Sequence, residues 1–113
     1  MKNLAICVGC LLASLSVFAQ TPQTFKGEIL DSQCAALGGH QIMEQKNESA
    51  KDCTNRCVNM GGKYTLFDPA TKTAYQLDDQ KKPAAFAGAK VTVTGTLNSS
   101  TKTIHVASIK AGS

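Results

Sequence analysis

Cys34, His40, Cys53 and Cys57 are the residues whose types and spacing support chemistry beyond packing. They follow the pattern C-x5-H-x12-C-x3-C. Two ligands four residues apart on a helix point the same way, as the histidines of an H-E-x-x-H helix do. Cys53 and Cys57 can therefore address a single ion. Cys34 and His40 would complete a Cys3His set, a recognised tetrahedral zinc combination. Soft thiolates also suit copper(I), with Met43 and Met60 as additional donors. Both methionines read first as core or loop fillers, and His40 reads equally as an exposed loop residue beside the flexible Gly38-Gly39.

The same thiols support a second chemistry. On a regular helix, side chains four apart hold their β-carbons about 5 to 6 Å apart. A disulfide needs roughly 3.5 to 4.5 Å, so a bond between Cys53 and Cys57 is disfavoured. A bond from Cys34 to Cys57 or Cys53 would close a loop of about 20 residues and stabilise by roughly 3 kcal/mol. It would leave one spare thiol. A third reading buries all three cysteines as small hydrophobes. Thiol-redox catalysis has less support. The region after residue 19 has no C-x-x-C, and the loop around His40 offers no residue to orient the imidazole.

Three elements must position these residues. The first is a leader to be set aside. "MKNLAICVGCLLASLSVFA" has a basic start at Lys2, an apolar run from Leu4 to Phe18 and a small-x-small end at Ala19. That pattern is a secretory signal peptide over residues 1–19. The run is shorter than the roughly 18 to 20 residues that span a bilayer. Cleavage would remove Cys7 and Cys10, and residues 20–113 would form one domain. Export, to the periplasm or beyond, places Cys34, Cys53 and Cys57 where disulfides persist. Their odd count leaves at least one free, metal-bound or paired between chains.

The second element is a helix. Ser49 caps it, with Asp52 three residues on. Ala50, Cys53, Thr54, Cys57 and Val58 fall on one face. Lys51, Asp52, Asn55, Arg56 and Asn59 take the other, and Gly61 or Gly62 ends it.

The third element is a set of strands. "TFKGEILD" (Thr24 to Asp31), "KYTLFD" (Lys63 to Asp68), "TAYQLD" (Thr73 to Asp78), "KVTVTGTL" (Lys90 to Leu97) and "TIHVASI" (Thr103 to Ile109) alternate as half-buried strands do. A polar loop is expected from Ser32 to Glu48. A connector from Gln80 to Gly88 can hold a short helical turn. Gly95 in mid-strand signals a bulge or sharp bend. The fold class is mainly β with one helix, a small five-stranded OB-like barrel. The alternative is an α+β five-stranded sheet with one packed helix. The acids Asp31, Asp68, Asp78 and Asp79 fall at strand ends, where turns and solvation explain them. His105 reads as a surface or packed histidine.

The net charge is +4, with lysines dispersed along the chain. That balance favours solubility over a polyanion partner. Tyr64, Phe67 and Tyr75 are the aromatics a nucleic-acid-binding barrel would use for stacking, but export and the modest charge argue against nucleic acid. No membrane association is expected after signal cleavage.

"GEILDSQCA" (Gly27 to Ala35), His40, "CTNRCVNMGGKYTLFD" (Cys53 to Asp68), "YQLDD" (Tyr75 to Asp79) and "FAGAKVTVTGTLN" (Phe86 to Asn98) together make the chain resemble a group of small exported bacterial proteins of acidobacterial type. The resemblance covers nearly all of the chain after the leader and carries no established activity. It implies that Cys34, His40, Cys53 and Cys57 belong to one motif. The expectation is an exported, non-enzymatic domain that binds zinc or copper through that motif. The alternative is a disulfide-stapled module binding a protein or small-molecule partner.

Overall fold

β-branched and aromatic residues alternating with polar ones favour a pleated, half-buried surface, and the strands form where that alternation occurs. The computed structural model describes residues 21–112. Five strands appear: β1 (Gln23–Asp31), β2 (Tyr64–Asp68), β3 (Thr73–Leu77), β4 (Lys90–Asn98) and β5 (Thr103–Ala111). Their hydrogen bonding closes in the ring order β1-β2-β3-β5-β4. All neighbours are antiparallel except β3 and β5, which run parallel. The architecture is the mainly β, OB-like one expected, with a helix packed on the sheet. The leader expected over residues 1–19 lies outside the described residues. Among the described residues, no helix is long and apolar enough to cross a membrane.

β1 is shared between two neighbours. Gln23 to Glu28 pair with β4, and Glu28 to Asp31 pair with β2. The ring bends at β4 as well, where the register with β5 shifts between Thr94 and Gly95. Gly95 is required there because a β-carbon at this position would run into the His105 carbonyl. This is the bulge that the mid-strand glycine signalled. Gln80 closes the far end of β2 and β3. Its carbonyl accepts from Tyr64 N–H at 2.8 Å, and its amide donates to Tyr64 O at 2.9 Å and to Leu77 O at 3.1 Å.

Because strand side chains alternate between faces, consecutive residues of β1 serve two different cores. Ile29 joins Leu66, Leu77, Val91, Val93, Ile104 and Val106 inside the ring. Leu30 points the other way. It joins Phe67, Ala35 and the three cysteines in a second cluster between the barrel wall and the helices.

Those helices are α1 (Ser32–Leu37) and α2 (Ala50–Asn59). α1 corrects the expectation of a polar loop from Ser32 to Glu48. Asp31 caps it, and the chain leaves it through Gly38 at φ 101°. A short 3-10 turn at His40–Ile42 follows. α2 starts as expected, with the Ser49 hydroxyl accepting from Asp52 N–H at 3.1 Å. It ends in a Schellman motif. Gly61 N–H donates to Val58 O and Gly62 N–H to Cys57 O, both at 3.0 Å. Gly61 supplies the left-handed conformation at φ 113° that this ending needs. The connector holds its helical turn as a 3-10 segment at Lys82–Phe86.

Candidate metal centre

Cys34 sits on α1, one turn after β1 ends. Cys53 and Cys57 sit on α2, on the face that helical periodicity turns inward. All three are buried, at 0%, 0% and 5% exposure. Their sulfur atoms lie within 4.8 Å of one another. Two different helices thus deliver three thiols to one point, and the group can hold a metal ion. Sulfurs around an ion in a trigonal plane, at a bond length of about 2.3 Å, stand about 4 Å apart. The observed cluster lies in that range of separations.

His40 is not part of this group. Its Nε2 lies 3.3 Å from Glu44 Oε2, one helical turn on. The expected four-residue set therefore comes together as three cysteines, with the histidine held beside Glu44 by the 3-10 turn it begins. All three cysteines are free thiols in this structure, so the Cys34–Cys57 and Cys34–Cys53 bonds are not formed.

Burial governs the electrostatics. It pushes the Cys34 thiol up, and the hydrogen bond and charge of Asp31 push it further. Burial pushes Cys53 up as well, followed by the charges of Glu48 and Cys57, while Arg56 opposes them. Without an ion, Cys34 and Cys53 are therefore neutral thiols at neutral pH, which suits their apolar surroundings. An ion that binds must displace protons.

Asp31 and Arg56 are the neighbours that sequence reasoning missed. Asp31 is not a solvated strand-end acid. It is 1% exposed, with Oδ1 accepting from Cys34 N–H at 3.1 Å and Oδ2 from Gln33 N–H at 2.9 Å. An Asp directly before Ser-Gln-Cys, with Gly-Gly six residues after Ser32, was the available sign of a capped short helix.

Helical periodicity places Arg56 on the outer face of α2. Its long side chain instead folds back over the cluster. Nη2 lies 3.8 Å from Cys53 Sγ and donates to Met43 O at 2.9 Å. Nε donates to Glu48 Oε2 at 2.8 Å. That guanidinium, helped by the Gln45 N–H, holds the Glu48 carboxyl down to about 2. No sequence signal marks the Glu48–Arg56 pair, because Glu48 precedes the helix and the two are not helical neighbours.

Cys57 borders a cavity of about 310 Å³ shared with Met43, Arg56, Met60 and the Gly61–Gly62 corner. The cluster therefore has one side near solvent. His105 lies elsewhere, at the β3–β5 seam. Its Nδ1 is 2.5 Å from Asp78 Oδ2. Asp78 Oδ1 also accepts from Val106 N–H at 2.9 Å. That backbone bond, ahead of His105, lowers the Asp78 carboxyl's affinity for its proton. Compared with protein-family models, curated proteins and solved structures, the chain matches none.

Proposed function

We propose that this protein is an exported, non-enzymatic domain that holds a soft metal ion through Cys34, Cys53 and Cys57. The observation that carries the reading is the convergence of three sulfurs from two helices within 4.8 Å. Inert burial alone does not require it, because aliphatic side chains would fill the same space. Thiolates favour zinc and copper(I) among biological ions. The leader-like residues 1–19 support export. The resemblance to small exported bacterial proteins supports treating the cysteines as one motif.

Metal analysis tests this, combined with thiol counting on protein purified with its thiols reduced. The expected result is one zinc or copper ion per chain, with thiols that react only after chelation or unfolding. Ion present at a thousandfold excess over its dissociation constant contributes about 4 kcal/mol. That raises the thermal midpoint of a domain this size by about 15 °C or more. Cys57→Ala is expected to abolish the rise. Failure of the reduced protein to take up either ion sinks the reading.

The same proximity favours a second reading. Cys34 lies beside both helix cysteines, so either can pair with it in an oxidising compartment. The domain would then be a disulfide-stapled module for a protein or small-molecule partner. A purified protein two hydrogens lighter than the reduced mass, carrying one reactive thiol and no metal, is its signature.

A further inference from the structure

A three-thiol group leaves the fourth position of a tetrahedral ion to be filled. Among the described residues, no histidine, aspartate or glutamate joins the three sulfurs. His40 faces Glu44. Asp31 is close to Cys34, but its carboxylate caps α1 by accepting the Gln33 and Cys34 N–H groups. As a ligand it would also add a further negative charge to a buried site that already carries thiolates. Glu48 is tied up by Arg56.

The donor that remains is a thioether. Met43 is partly buried and packs against the cluster that contains Cys34, Cys53 and Cys57. It also lines the cavity that reaches Cys57. A thioether is neutral, so it adds no further negative charge to a buried site that already carries thiolates. It is a soft ligand that suits copper(I) and contributes little to zinc.

Met60 supplies the second observation. It lines the same cavity, yet it is 76% exposed. Its backbone N–H closes α2 by donating to Arg56 O and Cys57 O, both at 3.1 Å. Its side chain stands exposed at the rim of that cavity. Met60, Met43 and Cys57 thus line one cavity, with Met60 exposed and Cys57 in the buried cluster.

We propose that the site selects monovalent copper, with Met43 as a fourth sulfur donor and Met60 as the sulfur an incoming ion meets first. The inference rests on the metal-binding reading above and sharpens it. The geometry makes the cavity a copper(I) exchange route, and the thiol cluster its destination.

The test uses the full reduced protein under anaerobic conditions. Copper(I) is competed against a chromophoric copper(I) chelator, and zinc(II) against a chromophoric zinc chelator. Met43→Leu conserves volume. It is expected to weaken copper(I) binding about tenfold or more, while zinc affinity and the thermal midpoint of the ion-free protein stay at wild-type values. Met60→Leu is expected to keep the copper(I) affinity and to slow transfer from chelator to protein. Copper(I) affinity unchanged in Met43→Leu overturns the assignment of the fourth donor. A parallel loss of zinc and copper affinity overturns it too, because it marks a packing defect. Transfer at the wild-type rate in Met60→Leu overturns the route. Each of these leaves the three-thiol reading standing. Wild-type protein that binds neither ion removes both readings together.

Discussion

Thr54 follows Cys53 on α2 and is buried with it, yet its hydroxyl has no hydrogen-bond partner. An unsatisfied buried hydroxyl costs about 1 to 3 kcal/mol. Thr54→Val keeps the branched shape and removes the polar atom. It is expected to raise the stability of the reduced, ion-free protein by about 1 kcal/mol, or roughly 4 to 8 °C in thermal midpoint. Denaturant unfolding checks this, and a loss of stability would mean the hydroxyl is satisfied in solution. At this scale the inward direction of Cys53, Thr54 and Cys57 was legible, because helical period alone sets it. The roles of Asp31 and Arg56 were not. A buried carboxylate is recognised by the N–H groups it meets, and a folded-back guanidinium by its partners. Both are facts of three-dimensional proximity.

Short helical segments behave as elements only when their ends are satisfied. Asp79 does this for the 3-10 segment at Lys82–Phe86. Its Oδ1 accepts from Lys81 N–H at 2.8 Å and Lys82 N–H at 3.0 Å, and Oδ2 accepts from Lys82 Nζ at 3.0 Å. The Lys82 N–H is the main cause that holds this carboxyl down to about 2, below the ordinary 3.8. A depressed carboxyl contributes stability that is fully present above its unfolded value. The contribution is lost as pH falls from about 3.8 through about 2. Asp79→Asn is expected to flatten that part of the stability profile and leave the profile near neutral pH unsloped. Denaturant midpoints measured from pH 2 to 7 check it, and an unchanged acid slope would count against the cap. Asp78 and Glu48, also depressed, contribute to the slope that remains. The helix α2 was legible end to end, since Ser49 and Gly61 are local signals. α1 was missed because six residues carry too little periodicity to stand out.

Ring closure belongs to the whole molecule. β4 and β5 pair along nearly their full lengths, whereas β3 and β5 meet only through Gln76–Thr103 and Leu77–Ile104. Side chains extend this short seam. Asp78 takes the Val106 N–H, and Gln76 Nε2 donates to Thr101 O at 3.2 Å. Local opening follows the fewest protected bonds. Amide exchange is therefore expected to be fastest, among strand amides, for Gln76 and Val106 at the seam, and slowest for Val91 and Val93 on β4. Hydrogen exchange read residue by residue by NMR checks this. Equal protection around the ring would show that the seam does not open separately.

The strands, the bulge at Gly95, the capped helix and the inward turn of its two cysteines follow from the sequence alone, because each depends on residues within a few positions of one another. Period, β-branching, caps and glycine conformations are local physics. The second core, the short helix that carries Cys34, the separation of His40 from the thiols and the placing of Met43 against them were decided only in the folded chain. Each depends on where β1 ends relative to a helix some twenty residues later in the chain. That distance is set by barrel closure and packing, and no local pattern encodes it.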